Sequence, residues 1–170
     1  MIKRIIAAFT LAILIVGSTN AQRIATVDIN EVLAEFEDYK NAELEIDQLA
    51  NKWRQEIAQE YDKIKAMYNK YQAEQVLLNS DQKKQREDEI MVAEQEVREL
   101  QKKRFGPEGD LFLKRQELVS PIQDKVYSAI EGYAANRGYD IIFDKGGAAG
   151  LLFVSEEYDK TEEIKKALGI

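Results

Sequence analysis

The sequence has 170 residues, a net charge of −7, 32% charged residues, and neither cysteine nor histidine. The missing residue types exclude a disulfide framework, zinc sites built on Cys or His, and catalysis by an imidazole base or a thiolate. An acidic chain without a basic stripe is also a poor nucleic-acid binder. We therefore expect no enzyme activity, no catalytic residues, no metal site, no cofactor and no nucleic-acid partner.

The first 21 residues have the layout of a secretory signal peptide. Lys3 and Arg4 precede an apolar run that ends at Val16, and small residues lead to Ala21. A run of about 12 residues, at about 1.5 Å each, is too short for the ~30 Å core of a bilayer. We therefore expect cleavage after residue 21 and export, rather than a membrane anchor.

Residues 23–28 are rich in β-branched side chains and partly alternating, and they predict a short strand. Asp28 or Asn30 can cap the helix that follows. From Glu31 to about Leu78, apolar residues recur at about 3.6-residue spacing, which predicts one long helix. A stripe this narrow cannot form a globular core, so the helix needs a partner.

The turn signal at residues 79–81 predicts where the partner begins, with Ser80 or Asp81 as its cap. Two antiparallel helices with a tip near residues 79–80 would then place Trp53 roughly opposite Phe105 and Gly106. The same alignment places Ile64 between Ala93 and Val97.

The second helix is interrupted at residues 105–109. Gly106, Pro107 and Gly109 break helical geometry. They form either a loop that ends the helix or a hinge inside the arm, and we favour the hinge because the helical pattern resumes at Leu111. Pro121 adds either a second bend or a new helix start.

The end of the chain predicts a return to the sheet. A glycine stop at Gly138 precedes predicted strands at residues 139–144 and 151–154, with a glycine-rich turn between them. Asp159 or Thr161 can cap a last helix over 162–168. Three short strands and one short helix bury too little for an independent domain, so an oligomer is expected.

The residues of both ends resemble the Skp (OmpH-like) family of periplasmic chaperones. The resemblance rests on residues 24–28 before a long polar helix, on residues 126–130, and on the return through 138–144, and it extends over residues 22–170. It implies a homotrimer with a β-barrel-like body and helical arms around a cavity, which holds unfolded outer-membrane proteins in the periplasm without ATP.

The expected fold is therefore mostly α with a small β body. A long antiparallel helical hairpin, residues 36–124, would project as an arm from a trimeric β-barrel-like body made of residues 22–35 and 125–170. The best-known members are basic and this chain is acidic. We interpret the basic cluster Lys83, Lys84 and Arg86 as a solvated helix face, and expect at most a weak contact with a membrane surface.

Three sets of residues are assigned on this basis. A client-binding surface is expected where apolar residues near the tip lack partners; the trimer body is expected at the strands; and the hinge is expected at the interruption. An alternative function is a structural coiled-coil spacer or envelope adaptor with one fixed partner. The client-binding set is Met67, Tyr68, Tyr71, Val76, Leu77, Leu78 and Met91; the body set is Ile24, Val27, Ile141, Ile142, Phe143, Leu152 and Phe153; the hinge set is Gly106, Pro107 and Gly109.

Overall fold

The computed structural model describes residues 22–147 and 150–170, and the predicted signal peptide lies outside them. The fold is mostly α with a small β portion, as expected. Within the described ranges, no helix combines the length and apolarity that a membrane span requires. The elements in chain order are β1 (Ile24–Val27), α1 (Ile29–Glu35), α2 (Glu37–Glu74), α3 (Ser80–Phe105), α4 (Asp110–Arg137), β2 (Ile141–Asp144), a 3-10 turn (Glu156–Tyr158) and α5 (Thr161–Leu168).

The chain divides into two compact units. The sheet unit contains the described residues through Asn30 together with Ala129–Gly169, and the helical unit contains Glu31–Ser128. Each unit is described in turn.

In the sheet unit, β1 and β2 pair in parallel, with Ile24 aligned to Ile141. The backbone nitrogen of Lys160 donates to the carbonyl of Thr26 at 2.8 Å on the other edge of β1, and the helix α5 packs against this strand. Ala25, on β1, is fully buried. The first strand is therefore central, and β2 has one edge without a ladder partner among the described residues.

The helix stop before β2 is confirmed. Gly138 has φ +67°, and the nitrogen of Tyr139 donates back to the carbonyl of Ala134 at 3.0 Å, which is a glycine-terminated helix end. The strand itself begins at Ile141, two residues later than predicted. The Asp140 carboxylate accepts the backbone nitrogen of Arg23 at 2.8 Å, so the two preceding residues serve the turn.

The prediction of a third strand at residues 151–154 is wrong for the single chain. The backbone there forms no regular secondary structure and has no ladder partner among the described residues, and Leu152 and Phe153 are 100% and 83% exposed. Apolar, β-branched composition favours extended backbone, but a strand also needs a neighbouring edge. Within the described residues, no edge pairs with this segment.

In the helical unit, α2 and α3 run antiparallel in the predicted alignment. The rings of Trp53 and Phe105 meet edge to face at a centroid distance of 6.2 Å. Ile64 belongs to a core cluster with Val97, against which Ala93 packs. The cap of α3 is Asn79, not Ser80 or Asp81 as predicted. The Asn79 side chain accepts the backbone nitrogen of Gln82 at 3.0 Å, and the Gln82 side chain accepts that of Asn79 at 3.1 Å.

The long first helix is interrupted at Phe36, which the sequence did not predict. Phe36 has extended backbone with φ −74° and ψ 117°, and it separates α1 from α2. Its ring is 95% buried, with the Lys125 ammonium 5.0 Å from the centroid. The apolar spacing at Val32, Leu33 and Phe36 is helical on both sides, so it does not reveal a single non-helical residue.

The helix α4 passes through Pro121 without interruption, so a new helix start at this position is wrong. Proline costs about 3 kcal/mol in a helix interior because it lacks an N–H and clashes with the preceding turn. Here its neighbours Val119 and Ile122 are buried. Their packing offsets part of that cost.

Candidate functional site

Three tyrosines of α2 bridge to α3 and form what we call the tyrosine row: Tyr61, Tyr68 and Tyr71. Their hydroxyls donate to Gln101, Glu94 and Glu87, respectively, with the Tyr68 bond at 2.8 Å and the Tyr61 contact at 3.5 Å. The acceptors are spaced by seven residues, about two helical turns, and so share one face of α3. The row gives the helix pair an aromatic face with polar ends.

Two of these acceptors favour the protonated form of the tyrosine that they bind. Hydrogen bonding to the Glu94 carboxylate raises the pKa of Tyr68, and bonding to Glu87 does the same for Tyr71. The ring of Tyr68 is nevertheless 42% exposed. An aromatic ring that is half exposed and held by its hydroxyl offers apolar area without requiring a fixed partner geometry.

The turn between α2 and α3 carries the most exposed apolar residues of the helical unit. Val76 and Leu77 are each 83% exposed, and Leu78 is half-buried. We call Val76, Leu77 and Leu78 the apolar tip. The facing start of α3 is charged and polar, so no apolar surface covers these residues, and the prediction of an exposed tip agrees with their positions.

Met67 and Met91 have different surroundings. Met67 is half-buried and packs against the core cluster that contains Ile64 and Val97. It also lines an open groove of about 290 Å³ between the helices, with Ala93 as the smallest lining residue. Met91 is 57% exposed on α3. The client-binding set is therefore distributed over several faces and does not form one pocket.

Sequence reasoning did not single out several exposed apolar residues of the helical unit. Val92, Phe112 and Leu113 are each at least half exposed. Val92 lies two residues after Ile90, which is buried in the seam, so it faces about 200° away from that seam. The same angular argument applied to the sequence could have found it.

The basic cluster near the tip is partly neutralised. Arg86 forms an ion pair with Glu89 at 2.8 Å, and this bond, with one from Gln85, lowers the pKa of Glu89. Lys84 and Arg86 are exposed. Their exposure and the ion pair agree with a solvated helix face.

The interruption between α3 and α4 is a tight turn, which we call the elbow, residues 106–109. The helix ends at Phe105 with Gly106 in extended backbone, and the nitrogen of Gly109 donates to the carbonyl of Gly106 at 2.9 Å. A Cβ at Gly106 would collide with the carbonyl oxygen of Lys102, and one at Gly109 would lie 2.7 Å from that of Lys103. Both glycines are therefore required by close backbone contact.

The body set occupies the strands and the unpaired segment. Val27 is fully buried, whereas Ile24, Ile141 and Phe143 are each between 37% and 39% exposed. The sheet aligns Ile24 with Ile141. Leu152 and Phe153 are the most exposed apolar residues of the sheet unit. Apart from Val27, the named residues of the set thus leave apolar area exposed in the described part of the sheet unit.

No group of three or more acidic side chains in the described ranges is arranged to hold a metal ion. Asp28 and Asp144 lie at the sheet's end, where Asp144 accepts backbone nitrogens of Ile29 and Gly146. They stabilise the turns there.

The fold and these surfaces agree with one protein family. The sequence matches the family described as outer membrane protein (OmpH-like) over residues 23–168. The chain therefore belongs to the OmpH-like family. No curated protein matches it significantly.

A solved structure with the same fold comes from Caulobacter crescentus CB15 and is described as a candidate outer membrane chaperone (OmpH-like). It superposes with a TM-score of 0.70 at 10% sequence identity, and the match covers 89% of this chain and 86% of that one. At this identity the similarity concerns the fold.

Proposed function

We propose that this protein is an ATP-independent holdase chaperone of the periplasm that binds unfolded outer-membrane proteins and prevents their aggregation. The observation that supports it best is the apolar tip, where Val76 and Leu77 are 83% exposed at the end of a charged helix pair. Monomeric soluble proteins rarely leave contiguous apolar surface uncovered unless it serves a partner. Membership of the OmpH-like family and the described function of the Caulobacter protein point the same way.

Holding by burial needs no chemical step. Apolar area removed from water contributes about 25 cal/mol per Å² without demanding a particular geometry. The tyrosine row, the apolar tip and the exposed Met91 supply such area on a surface that neighbouring charged side chains keep soluble. A nucleotide, a cofactor and a catalytic residue are unnecessary for this activity.

We further propose that the protein is a homotrimer whose body buries the uncovered surface of the sheet unit. Leu152 is fully exposed and Phe153 is 83% exposed, and residues 151–155 have no ladder partner among the described residues. Three copies would bring three helix pairs around one cavity. Weak contacts from several arms then combine through effective concentration, which a single arm could not achieve.

The proposed location is the periplasm. Residues 1–21 have the charged start, apolar run and small-residue end of a signal peptide. Cleavage would leave a chain that begins at Gln22, just before the backbone bond between Arg23 and Asp140.

The alternative function, a spacer or adaptor with one fixed partner, is favoured by the seam of Ile57, Ile64, Ile90 and Val97 along the helix pair. The residues of this seam are buried against one another within the chain. The uncovered apolar tip needs a partner in either case, so the two functions differ in how many different clients the tip accepts. A holdase should bind unrelated unfolded barrels, whereas an adaptor should bind one folded protein.

The experiment changes Val76 and Leu77 to Ser and measures light scattering of an unfolded barrel protein diluted from urea with the chaperone. Both residues are highly exposed, so the variant should fold normally and its suppression of aggregation should fall several-fold. Leu44→Ser is the matched control, because Leu44 is 58% exposed on α2 away from the tip.

The opposing variant replaces Lys83 and Lys84 with Gln. If it loses suppression, if salt at about 0.5 M, where screening is strong, abolishes it too, and if the tip variant acts as wild type, then capture is electrostatic. The assignment of the tip as binding surface would then be wrong. If no form of the protein suppresses aggregation, the holdase proposal itself is rejected.

A further inference from the structure

Arg104, in the last turn of α3, is held by three contacts around the elbow. Its Nη1 lies 2.6 Å from the Asp110 carboxylate, at the first residue of α4, and its Nη2 lies 3.5 Å from Glu56 on α2. Its guanidinium carbon is 4.7 Å from the centroid of the Trp53 ring. One side chain at the end of α3 therefore contacts both the start of α4 and the middle of α2.

The rings beside Arg104 close the same junction. Phe105 packs edge to face on Trp53, and the guanidinium of Arg54 lies 5.9 Å from the Phe105 centroid. The Arg104 side chain is 23% exposed, so its ion pairs are less screened by water than those on the outer faces of the helices.

The elbow leaves the pairing with α2 unchanged. Before it, Phe105 meets Trp53; after it, Lys114 pairs with Glu45 at 3.2 Å and Arg115 with Glu43 at 2.8 Å. Partner numbers sum to about the same value on both sides, as expected for one antiparallel alignment. The helix α2 therefore bridges the interruption, and the two glycines alone do not make a freely moving joint.

The contacts of Arg104 carry a cost in this conformation. Its Nε is buried and has no hydrogen-bond partner among the described residues. A buried donor without a partner is unfavourable, and exposure to water would remove that penalty. The short ion pair of Nη1 with Asp110 and the longer one of Nη2 with Glu56 are thus opposed by one unsatisfied nitrogen, which is the balance expected of a contact that can open.

We propose that Arg104 is a latch that fixes the elbow: while its guanidinium bridges Asp110, Glu56 and Trp53, the segments on either side keep one geometry, and its release lets α4 move relative to α3. The proposal concerns the mechanics of the helical unit and does not depend on what the protein holds.

The test measures the distance across the elbow. Because the chain has no cysteine, Glu96→Cys and Gln116→Cys in the full chain accept nitroxide labels selectively, at a separation of about 30 Å by helical rise. Electron–electron double resonance then reports the width of the distance distribution. We expect Arg104→Gln and Asp110→Asn each to widen it at least twofold.

Two controls keep the result specific. Arg98→Gln removes an exposed ion pair within α3, between Arg98 and Glu94 at 3.5 Å, and should leave the width unchanged. Labels at Lys52, level with the elbow, and at Gln72, toward the tip, both lie on α2 and should report the same width in every variant.

The latch is overturned if Asp110→Asn leaves the width as in wild type, whatever Arg104→Gln does. If Arg104→Gln loses helix content by circular dichroism while Asp110→Asn behaves as wild type, Arg104 is a packing residue and not a latch. Widening of the Lys52–Gln72 distribution would equally reject it, because the loosening would then not be confined to the elbow.

Discussion

Among single residues, Asp159 organises the turn into α5. Its carboxylate accepts bonds from Lys145 Nζ at 2.5 Å, from the backbone nitrogen of Thr161 at 3.0 Å and from the Thr161 hydroxyl at 2.6 Å. Burial by itself would raise the pKa of Asp159, but these bonds outweigh burial and hold it below its ordinary value of 3.8. The folded state therefore prefers the ionised carboxylate.

Because the folded pKa of Asp159 is lowered, its contribution to stability is present above the unfolded pKa and is lost as pH falls through the folded value. We expect Asp159→Asn to reduce the free energy of unfolding by about 1–3 kcal/mol near pH 7, and the gap from wild type to narrow as the pH falls through the folded pKa of Asp159. Urea unfolding followed by circular dichroism measures both quantities.

Asp62→Asn is the control for that change, because Asp62 is exposed on α2. It should leave stability within about 0.5 kcal/mol of wild type. A gap between Asp159→Asn and wild type that stays constant from neutral to acid pH would show that charge on Asp159 is not the cause.

The N-cap position of the last helix is Lys160, which makes no side-chain capping bond, so the prediction of Asp159 or Thr161 as the cap is wrong. The Asp159 carboxylate instead accepts the backbone nitrogen of Thr161, the first residue of the helix. The sequence also could not predict that Lys145, on the far side of the glycine-rich turn, supplies the cation, because a partner 14 residues away depends on the path of the intervening chain.

Among the elements, the elbow contains a glycine with no room for a side chain, whereas α4 contains one with open space around it. Gly109 has no room for a Cβ because the carbonyl oxygen of Lys103 lies 2.7 Å from its position. Gly132, inside α4, has nothing within 4 Å of the same position. A methyl group should therefore have opposite effects at the two sites.

We expect Gly109→Ala to destabilise the protein by about 1–3 kcal/mol through overpacking, and Gly132→Ala to stabilise it by about 0.5–1 kcal/mol because alanine is the better helix former. Thermal unfolding of both variants checks the two signs. If Gly109→Ala is neutral, the elbow is not the tight turn described, and a flexible loop would replace it.

Replacing Gly106, Pro107 and Gly109 together with Ala remains a test of the hinge itself. The sequence-based expectation is a straighter, stiffer arm that holds large clients less well. The contacts of Arg104 change this expectation, because they already hold the elbow in one geometry. The triple variant should therefore gain helix content, while the mobility of the elbow changes little.

The pattern of the sequence predicted the helices and their alignment because both depend on regular repeats. A 3.6-residue period marks α2 and α3, and their equal lengths from the turn fix Trp53 opposite Phe105. The interruption at Phe36 was missed because a single extended residue leaves the apolar spacing of the sequence unchanged. The observed cap, Asn79, lies one residue before the first predicted cap, Ser80, which is within the usual uncertainty of a helix boundary.

For the whole molecule, the decisive prediction concerns Leu152. This side chain is fully exposed in one chain, so Leu152→Asp costs a monomer nothing in buried area, but would place a charge in the proposed trimer core. We expect wild type to have about three times the mass of one chain by light scattering and the variant to dissociate while keeping its helix content.

Leu77→Asp is the matched control, because Leu77 is also highly exposed but lies at the apolar tip. It should leave the mass of the assembly unchanged. A wild-type monomer at micromolar concentration would reject the trimer. An unchanged mass for Leu152→Asp would move the interface away from residues 151–154.

The third strand is where sequence reasoning about the whole molecule reached its limit. Residues 151–154 have the composition of a strand, and an oligomer was expected because one chain has too little to bury. The residues of a strand do not show whether its neighbouring strand belongs to the same chain or to another copy. The prediction therefore paired residues 151–154 within one chain, where the structure leaves them unpaired.

The parallel pairing of β1 with β2 has a consequence for how the chain folds. The bond from Arg23 to Asp140 closes a loop of 117 residues, whereas α2 and α3 meet across a short turn. Contacts between distant residues form more slowly than local ones because loop closure must be completed first. The helix pair can thus form as soon as its own residues are available, while the sheet must wait until residue 144 has emerged. On the proposed export from the N-terminus, the first strand would therefore remain unpaired until nearly the whole chain has crossed the membrane.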